Sequence, residues 1–199
     1  MKIVTRLIIL LAMLSIISCG IFEPRESEEP EKPVPWESYP IKKEQVLQNL
    51  VYSYNYTENR SNYAKIFTDD FTFYFASQDI SEHSTPAEFN LAEESNMLMT
   101  LHKILGDYNK KIVIDTLSTI DGQDDLINTS SATLYRQYYI KIVKIGDVNE
   151  NELRSYQGKA EFNLIQDQET SLWKMKSWKD YRTTTNKTWG LLKNEDNFE

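Results

Sequence analysis

Cysteine is almost missing from this chain: Cys19 is the only one among 199 residues. A single thiol closes no intramolecular disulfide, so a disulfide-stapled scaffold is excluded. Histidine is nearly as scarce, with only His83 and His102. Two imidazoles far apart in sequence make a poor metal site, and neither a metal nor a cofactor is expected. Glycine and proline number six each, and five of the prolines (Pro24, Pro30, Pro33, Pro35, Pro40) fall in one short stretch. The rest is nearly free of chain breakers, which suits one compact domain and excludes a fibrous or low-complexity chain. Positive charge is in deficit: 22 Lys and Arg stand against 30 Asp and Glu, a net charge of −8. An acidic surface repels phosphate backbones, and no basic face of useful length appears, so nucleic acid is not an expected partner. Also missing are a Gly-rich phosphate loop, a G-x-S-x-G elbow and an H-E-x-x-H helix. Asn-x-Ser/Thr triplets at Asn55, Asn59, Asn128 and Asn186 are chance matches in an Asn- and Thr-rich chain.

What is present begins with the first eighteen residues. Lys2 and Arg6 accompany an apolar run, Leu7 to Ile17, broken only by Ser15. Crossing a bilayer core takes about 20 apolar residues, so the run is short for a span and suits a secretory signal peptide. Its end, Ile16-Ile17-Ser18-Cys19, resembles the bacterial lipobox: an aliphatic residue three before Cys and a small residue just before it. The resemblance implies cleavage after residue 18, diacylglycerol on the Cys19 thiol and acylation of the freed amine. Each buried CH₂ contributes about 0.8 kcal/mol, so two or three chains on one residue anchor stably. The mature chain then has a net charge of −10, which is −8 less the leader cations Lys2 and Arg6. The expected partner at this end is a lipid bilayer, and the expected location is the cell envelope. Gly20 follows the Cys where inner-membrane retention usually has Asp, so an outer membrane is favoured if the host has two.

Residues 19–40 continue as GIFEPRESEEPEKPVPWESYP after the Cys, rich in Pro and Glu and poor in aliphatics. Such a segment cannot bury enough apolar surface to offset its ordering entropy. As a polyproline spacer it reaches on the order of 60 Å at ~3.1 Å per residue. Trp36 and Tyr39 are the exceptions and are expected to dock its end onto the domain.

Residues 41–199 form the expected domain. Val46, Leu47, Leu50, Val51 and Tyr54 have helical spacing, and Asn59–Ile66 reads as a short second helix or turn. Phe71, Phe73 and Phe75 alternate with Thr72 and Tyr74 as in a strand. After a polar loop, Thr85-Pro-Ala-Glu88 reads as a capping box opening a helix that runs to about Leu105 and stops near Gly106. Strands follow at Lys111–Leu117, Ser131–Ile145, Leu153–Ile165 and Leu172–Tyr181. Directly successive long strands favour antiparallel pairing through hairpins. Trp189-Gly-Leu-Leu-Lys193 is a tail that covers a sheet edge or begins a short helix.

Helix, short helix, strand, helix and then antiparallel strands ending in Trp173-Lys-Met-Lys-Ser-Trp-Lys-Asp180 is an order similar to that of the nuclear transport factor 2-like superfamily. Val46–Tyr54, Asp69–Phe75 and Thr85–Leu101 carry the rest of the likeness. The resemblance implies an α+β fold in which a cone-like curved antiparallel sheet wraps around N-terminal helices and encloses an apolar pocket. A cystatin-like meander is the competing architecture. Leu50, Tyr54, Phe73, Phe75, Met97, Leu101, Tyr138, Trp173 and Trp178 are the candidate pocket-lining residues, although a domain of this size needs as many large side chains for its core alone.

Enzymes of the resembled superfamily use a pocket carboxylate or His as base and Tyr or protonated Asp as oxyanion donors. No such set is evident. Asp70 and Asp79 flank the Phe-rich strand, and Tyr52, Tyr54, Tyr74 and Tyr138 are candidate donors. Asp69 and Asp70 read as part of a turn, His83 as solvated and His102 as exposed near a helix end. Asp180 reads as a strand-end partner of Lys179 or Arg182. The sequence therefore favours a non-catalytic module binding a small apolar ligand or an envelope protein. A pocket enzyme of isomerase or dehydratase type and an envelope assembly or scaffold protein, dimerising through its sheet face, stay open.

Overall fold

The computed structural model describes residues 33–120, 123–146, 152–183 and 185–195; the side chains of 107–110 and 115 are not described. The leader, Cys19 and most of the spacer lie outside the described residues. The compact unit carrying the fold is Val34–Glu199. Helix α1 (Lys43–Asn55) buries Val46, Leu47, Leu50 and Tyr54, one stripe at helical spacing. Two 3₁₀ turns, Thr57–Ser61 and Tyr63–Ile66, lead into strand β1 (Phe67–Tyr74). Helix α2 (Ser77–His83), strand β2 (Glu88–Asn90) and helix α3 (Leu91–Asn109) follow. Strands β3 (Lys110–Thr119), β4 (Leu126–Ile127), β5 (Ser131–Lys144), β6 (Glu152–Gln166) and β7 (Trp173–Tyr181) build the rest of the sheet. Helix α4 (Trp189–Lys193) ends the described chain.

The seven strands form one sheet in the order β2-β1-β7-β6-β5-β3, with β4 also on β5. All neighbours are antiparallel except β1 and β7, which run parallel with Phe73 beside Trp178. That exception arises because β1 precedes the meander and joins its last strand. Register shifts between Ile114 and Thr116, and between Asn163 and Leu164, mark irregularities of the kind that bend a sheet. The curved sheet and its helices realise the expected α+β class.

Two local expectations are corrected. Helix α3 opens at Leu91, not after Thr85, whose hydroxyl has no partner. Asn90 caps it: its Oδ1 accepts the amides of Ala92 (2.9 Å) and Glu93 (3.1 Å), and the Glu93 carboxylate accepts the Asn90 amide at 2.8 Å. The reason is Phe89, which pairs with Phe73 on β1 and packs edge-on against Phe75, centroids 4.9 Å apart. Burying that ring in the sheet outweighs the Thr85 cap. The helix does break at Gly106, whose φ of +65° suits glycine. The second correction is α2, which stands in place of the expected polar loop. Its Asp79 is fully buried against Arg182 and Thr188, and that anchorage folds the segment onto the domain.

Ahead of α1 the chain is already tied down. Asn49 Oδ1 accepts the Glu37 amide at 2.8 Å, Asn49 Nδ2 donates to the Glu37 carbonyl at 2.9 Å, and the Trp173 amide donates to the Pro40 carbonyl at 2.8 Å. Trp36 packs against the core, whereas Tyr39 is 75 % exposed.

Candidate functional site

The nine residues expected to line a pocket all lie in the interior between the helices and the sheet. Leu50, Tyr54, Phe73, Phe75, Met97, Leu101, Tyr138, Trp173 and Trp178 are each buried. The chain's own tail packs against three of them. Helix α4 inserts Trp189, fully buried, edge-on to three rings: Tyr54 of α1 (centroids 5.2 Å), Tyr138 of β5 (5.0 Å) and Trp178 of β7 (4.4 Å). The tail thus forms a short helix, one of its two expected readings, with Trp189 turned into the core. It is the centre of the core.

Two polar clamps hold α4. In the first, the Asp180 carboxylate accepts the Tyr138 hydroxyl (2.6 Å) and the Tyr181 amide (3.0 Å) on one oxygen and the Gly190 amide (2.6 Å) on the other. The Tyr138 oxygen in turn accepts the Trp189 amide at 2.7 Å. Two glycines make room. A Cβ on Gly158 would lie 2.7 Å from the Tyr181 carbonyl and 2.8 Å from Tyr138 Cζ, and one on Gly190 would lie 2.9 Å from Phe75 Cδ1. Asp180 therefore pairs with neither Lys179 nor Arg182. Burial is the largest influence on it and pushes its carboxyl up to about 6 against the lowering pull of its donors. Burial likewise holds the Tyr138, Tyr54 and Tyr63 hydroxyls well above the usual phenol range.

In the second clamp the Lys193 ammonium pairs with Glu94 Oε1, both side chains fully buried. The same oxygen accepts the Tyr63 hydroxyl at 2.5 Å. The ammonium also sits 3.8 Å from the ring centroids of both Phe73 and Trp178. Burial draws this amine down to about 8 even so. Sequence reasoning misses Glu94 and Lys193, because a charge in an amphipathic helix or a tail reads as solvated.

Open space lies in several surface grooves, among them a polar one of about 550 Å³ lined by Glu82, Arg182 and Lys187. A groove of about 490 Å³ runs between α1 and edge strand β3. Leu47, Val51, Ile114 and Leu117 supply its apolar lining, with Glu44 and Arg136 among its charged neighbours. Arg136 is fixed by a bidentate pair with Asp125 (2.6 and 2.7 Å), whose carboxyl this guanidinium holds below its ordinary range.

The other candidate groups lie apart from one another. His102 is corrected from exposed to buried: its Nε2 lies 2.8 Å from the Ser53 carbonyl, which only accepts, so Nε2 carries the proton and Nδ1 faces the Thr57 hydroxyl at 3.4 Å. His83 is half exposed beside Glu82. Asp70 stands exposed within β1, accepting from Thr68 at 2.7 Å, and Tyr74 is exposed on the same strand. Tyr52 lines the groove. Among the described residues no group of three or more His, Cys, Asp or Glu is placed to hold a metal, and no helix is long and apolar enough to cross a membrane.

No family model matches the chain, and no curated protein matches it. Solved structures do share its architecture. A conserved protein from Planctomyces limnophilus DSM 3776 aligns with a TM-score of 0.51 and 13% identity, covering 69% of this chain and 91% of that one. The Kfla4162 protein of Kribbella flavida gives 0.51 and 11%, over 76% and 93% of the two chains. A nuclear transport factor 2-like superfamily protein from Salmonella enterica serovar Typhimurium gives 0.48 and 9%, over 73% and 94%. For the first two, at these identities, the shared property is the fold.

Proposed function

We propose that this chain is a non-catalytic binding module of nuclear transport factor 2-like type, tethered at the cell envelope through acylated Cys19, taking a slender apolar ligand between α1 and β3. The observation that carries the reading is the apolar lining of the α1–β3 groove, which the larger groove beside Arg182 lacks. The interior is filled by Trp189, while the α1–β3 groove is of a size typical for small-molecule sites and has an apolar lining with a few polar neighbours. The lipobox resemblance and the Pro/Glu spacer support the address; the element order supports the family.

One observation favours a pocket enzyme: Asp180 and Tyr138 make a buried carboxyl–hydroxyl pair of perturbed acidity. Both Asp180 oxygens, however, already accept hydrogen bonds from the chain itself, and the Tyr138 oxygen accepts the Trp189 amide. The pair fastens α4.

The test fills the groove. The wild type is expected to enhance anilinonaphthalene sulfonate fluorescence saturably, and Val51→Trp, which places an indole over the apolar lining, to abolish that enhancement at unchanged Tm. Equal enhancement in both proteins overturns the site. Separately, Cys19→Ser should abolish palmitate labelling and membrane sedimentation in a bacterial host; unaltered label and sedimentation overturn the address.

A further inference from the structure

The α1–β3 groove has unlike ends. From α1 it takes Glu44, Leu47, Gln48, Val51 and Tyr52, one stripe at helical spacing and about 12 Å long at ~1.5 Å per residue. The helix runs antiparallel to β3: Tyr54 and Asn55 at its close line a small cavity with Lys111 and Ile112 at the start of the strand. Glu44 lies at the other end, where Thr119 pairs with Arg136 of β5 and the Arg136 charge acts on Glu44. Charge therefore collects at one end. Leu47, Val51, Ile114 and Leu117 are the apolar side chains along the rest, the first and third buried and the other two half-buried.

The charges at that end cancel. Arg136 pairs bidentately with Asp125, and the Lys43 ammonium lies 3.1 Å from the Glu44 carboxylate. A charged ligand head would meet a like and an opposite charge together, with no net attraction to offset its desolvation. What the end offers instead is hydrogen bonding. The guanidinium uses three of its five N–H groups, two on Asp125 and one on the Tyr135 carbonyl, and the other two have no partner among the described residues. The Glu44 side chain is 55 % exposed, an acceptor with room for a hydroxyl.

On the reading that this groove is the binding site, we propose that it takes a single-chain amphiphile with an uncharged, hydroxyl-bearing head, the chain along Leu47, Val51, Ile114 and Leu117 and the head between Arg136 and Glu44. An ester or amide oxygen of the head accepts from Arg136, and a hydroxyl donates to Glu44. Fatty acids and alkylamines share the tail but lack the matching head. Arg136 and Glu44 thus set specificity by head charge.

The test titrates three probes of equal chain length, monooctanoylglycerol, octanoate and octylammonium, each below its micelle concentration and at neutral pH. The protein is the full mature chain carrying Cys19→Ser, so that no acyl group of its own competes. Monooctanoylglycerol is expected to bind saturably and at least about tenfold more tightly than either charged probe, and Val51→Trp to abolish that binding. Glu44→Gln leaves the charged end net positive and should strengthen octanoate about threefold, while moving the glyceride by less than about twofold. A charged probe that binds as tightly as the glyceride overturns the ligand class, and so does failure of all three to bind. Octanoate unmoved by Glu44→Gln overturns the placement of the head. These outcomes leave the groove itself standing so long as Val51→Trp removes the anilinonaphthalene sulfonate response. Glyceride binding that survives Val51→Trp overturns both.

Discussion

Replacing Tyr138 with Phe removes one oxygen from the middle of the structure and tests how α4 is held. The hydroxyl donates to Asp180 at 2.6 Å and accepts the Trp189 amide at 2.7 Å. Phe keeps the ring over Gly158 and against Trp189, so packing is nearly unchanged. What is lost is one hydrogen bond to a charged group and the partner of a buried N–H. A bond to a charged acceptor contributes about 1.5–3 kcal/mol, and a buried donor left unsatisfied costs about 1–3 kcal/mol. The expected loss is therefore about 3–5 kcal/mol, or roughly 10 °C in Tm for a domain of this length. Urea unfolding followed by circular dichroism reads it directly. Tyr139→Phe, one residue along β5, is the control: its hydroxyl meets Glu152 at the surface, and its removal should shift stability by no more than about 0.5 kcal/mol. If the two variants have the same midpoint, the Asp180–Tyr138–Trp189 chain does not fasten α4.

Three further outcomes follow from the same interior. Lys193→Met, which leaves Glu94 charged and unpaired, should cost about 3–5 kcal/mol, and adding Glu94→Gln should restore at least about 2 kcal/mol, because Tyr63 can still donate to the amide oxygen; additive losses in the cycle would show that the two groups do not interact. Asp180 takes up its proton at about 6 in the folded chain against 3.8 ordinarily, so the folded state binds the extra proton in that window and gains stability as pH falls through it. Urea midpoints of wild type and Asp180→Asn, measured from pH 7 to pH 4, should diverge in favour of wild type by up to about 3 kcal/mol; parallel curves would refute the assignment. Gly190→Ala gains about 1 kcal/mol of helix propensity but drives a methyl to 2.9 Å from Phe75, a ring held between Phe73 and Phe89. A net loss of about 1 kcal/mol is expected, and a rise in Tm would show that the approach to Phe75 is slack.

Periodic signals are the readable part of this sequence. The alternation of Phe71, Phe73 and Phe75, the helical spacing of Val46 to Tyr54, and the long Tyr- and Ile-rich segments after residue 130 each report burial on one face. Each forms the expected element. What stays hidden depends on pairing across long separations. The cap at Thr85 loses to the contact of Phe89 with β1, and α2 forms around an Asp79 whose partners, Arg182 and Thr188, lie at the other end of the chain. Glu94 and Lys193 carry no local mark of burial, because nothing in either segment says that an opposite charge waits inside. Tyr54, Tyr138 and Trp178, expected to line a pocket, are buried around Trp189. In sequence, Trp189–Lys193 reads as an edge cover or a short helix, and nothing local says that its Trp enters the core.

Hydrogen exchange at α4 tests most directly whether that tail is the centre of the core. With Trp189 buried among Tyr54, Tyr138 and Trp178, the amides of Trp189, Gly190 and Leu192 should exchange at least about a thousandfold more slowly than in an unstructured chain, an opening free energy of about 4 kcal/mol or more. Exchange at unprotected rates, in a protein whose β5 and β6 amides are protected, would mean that the interior stands open and that α4 does not occupy it.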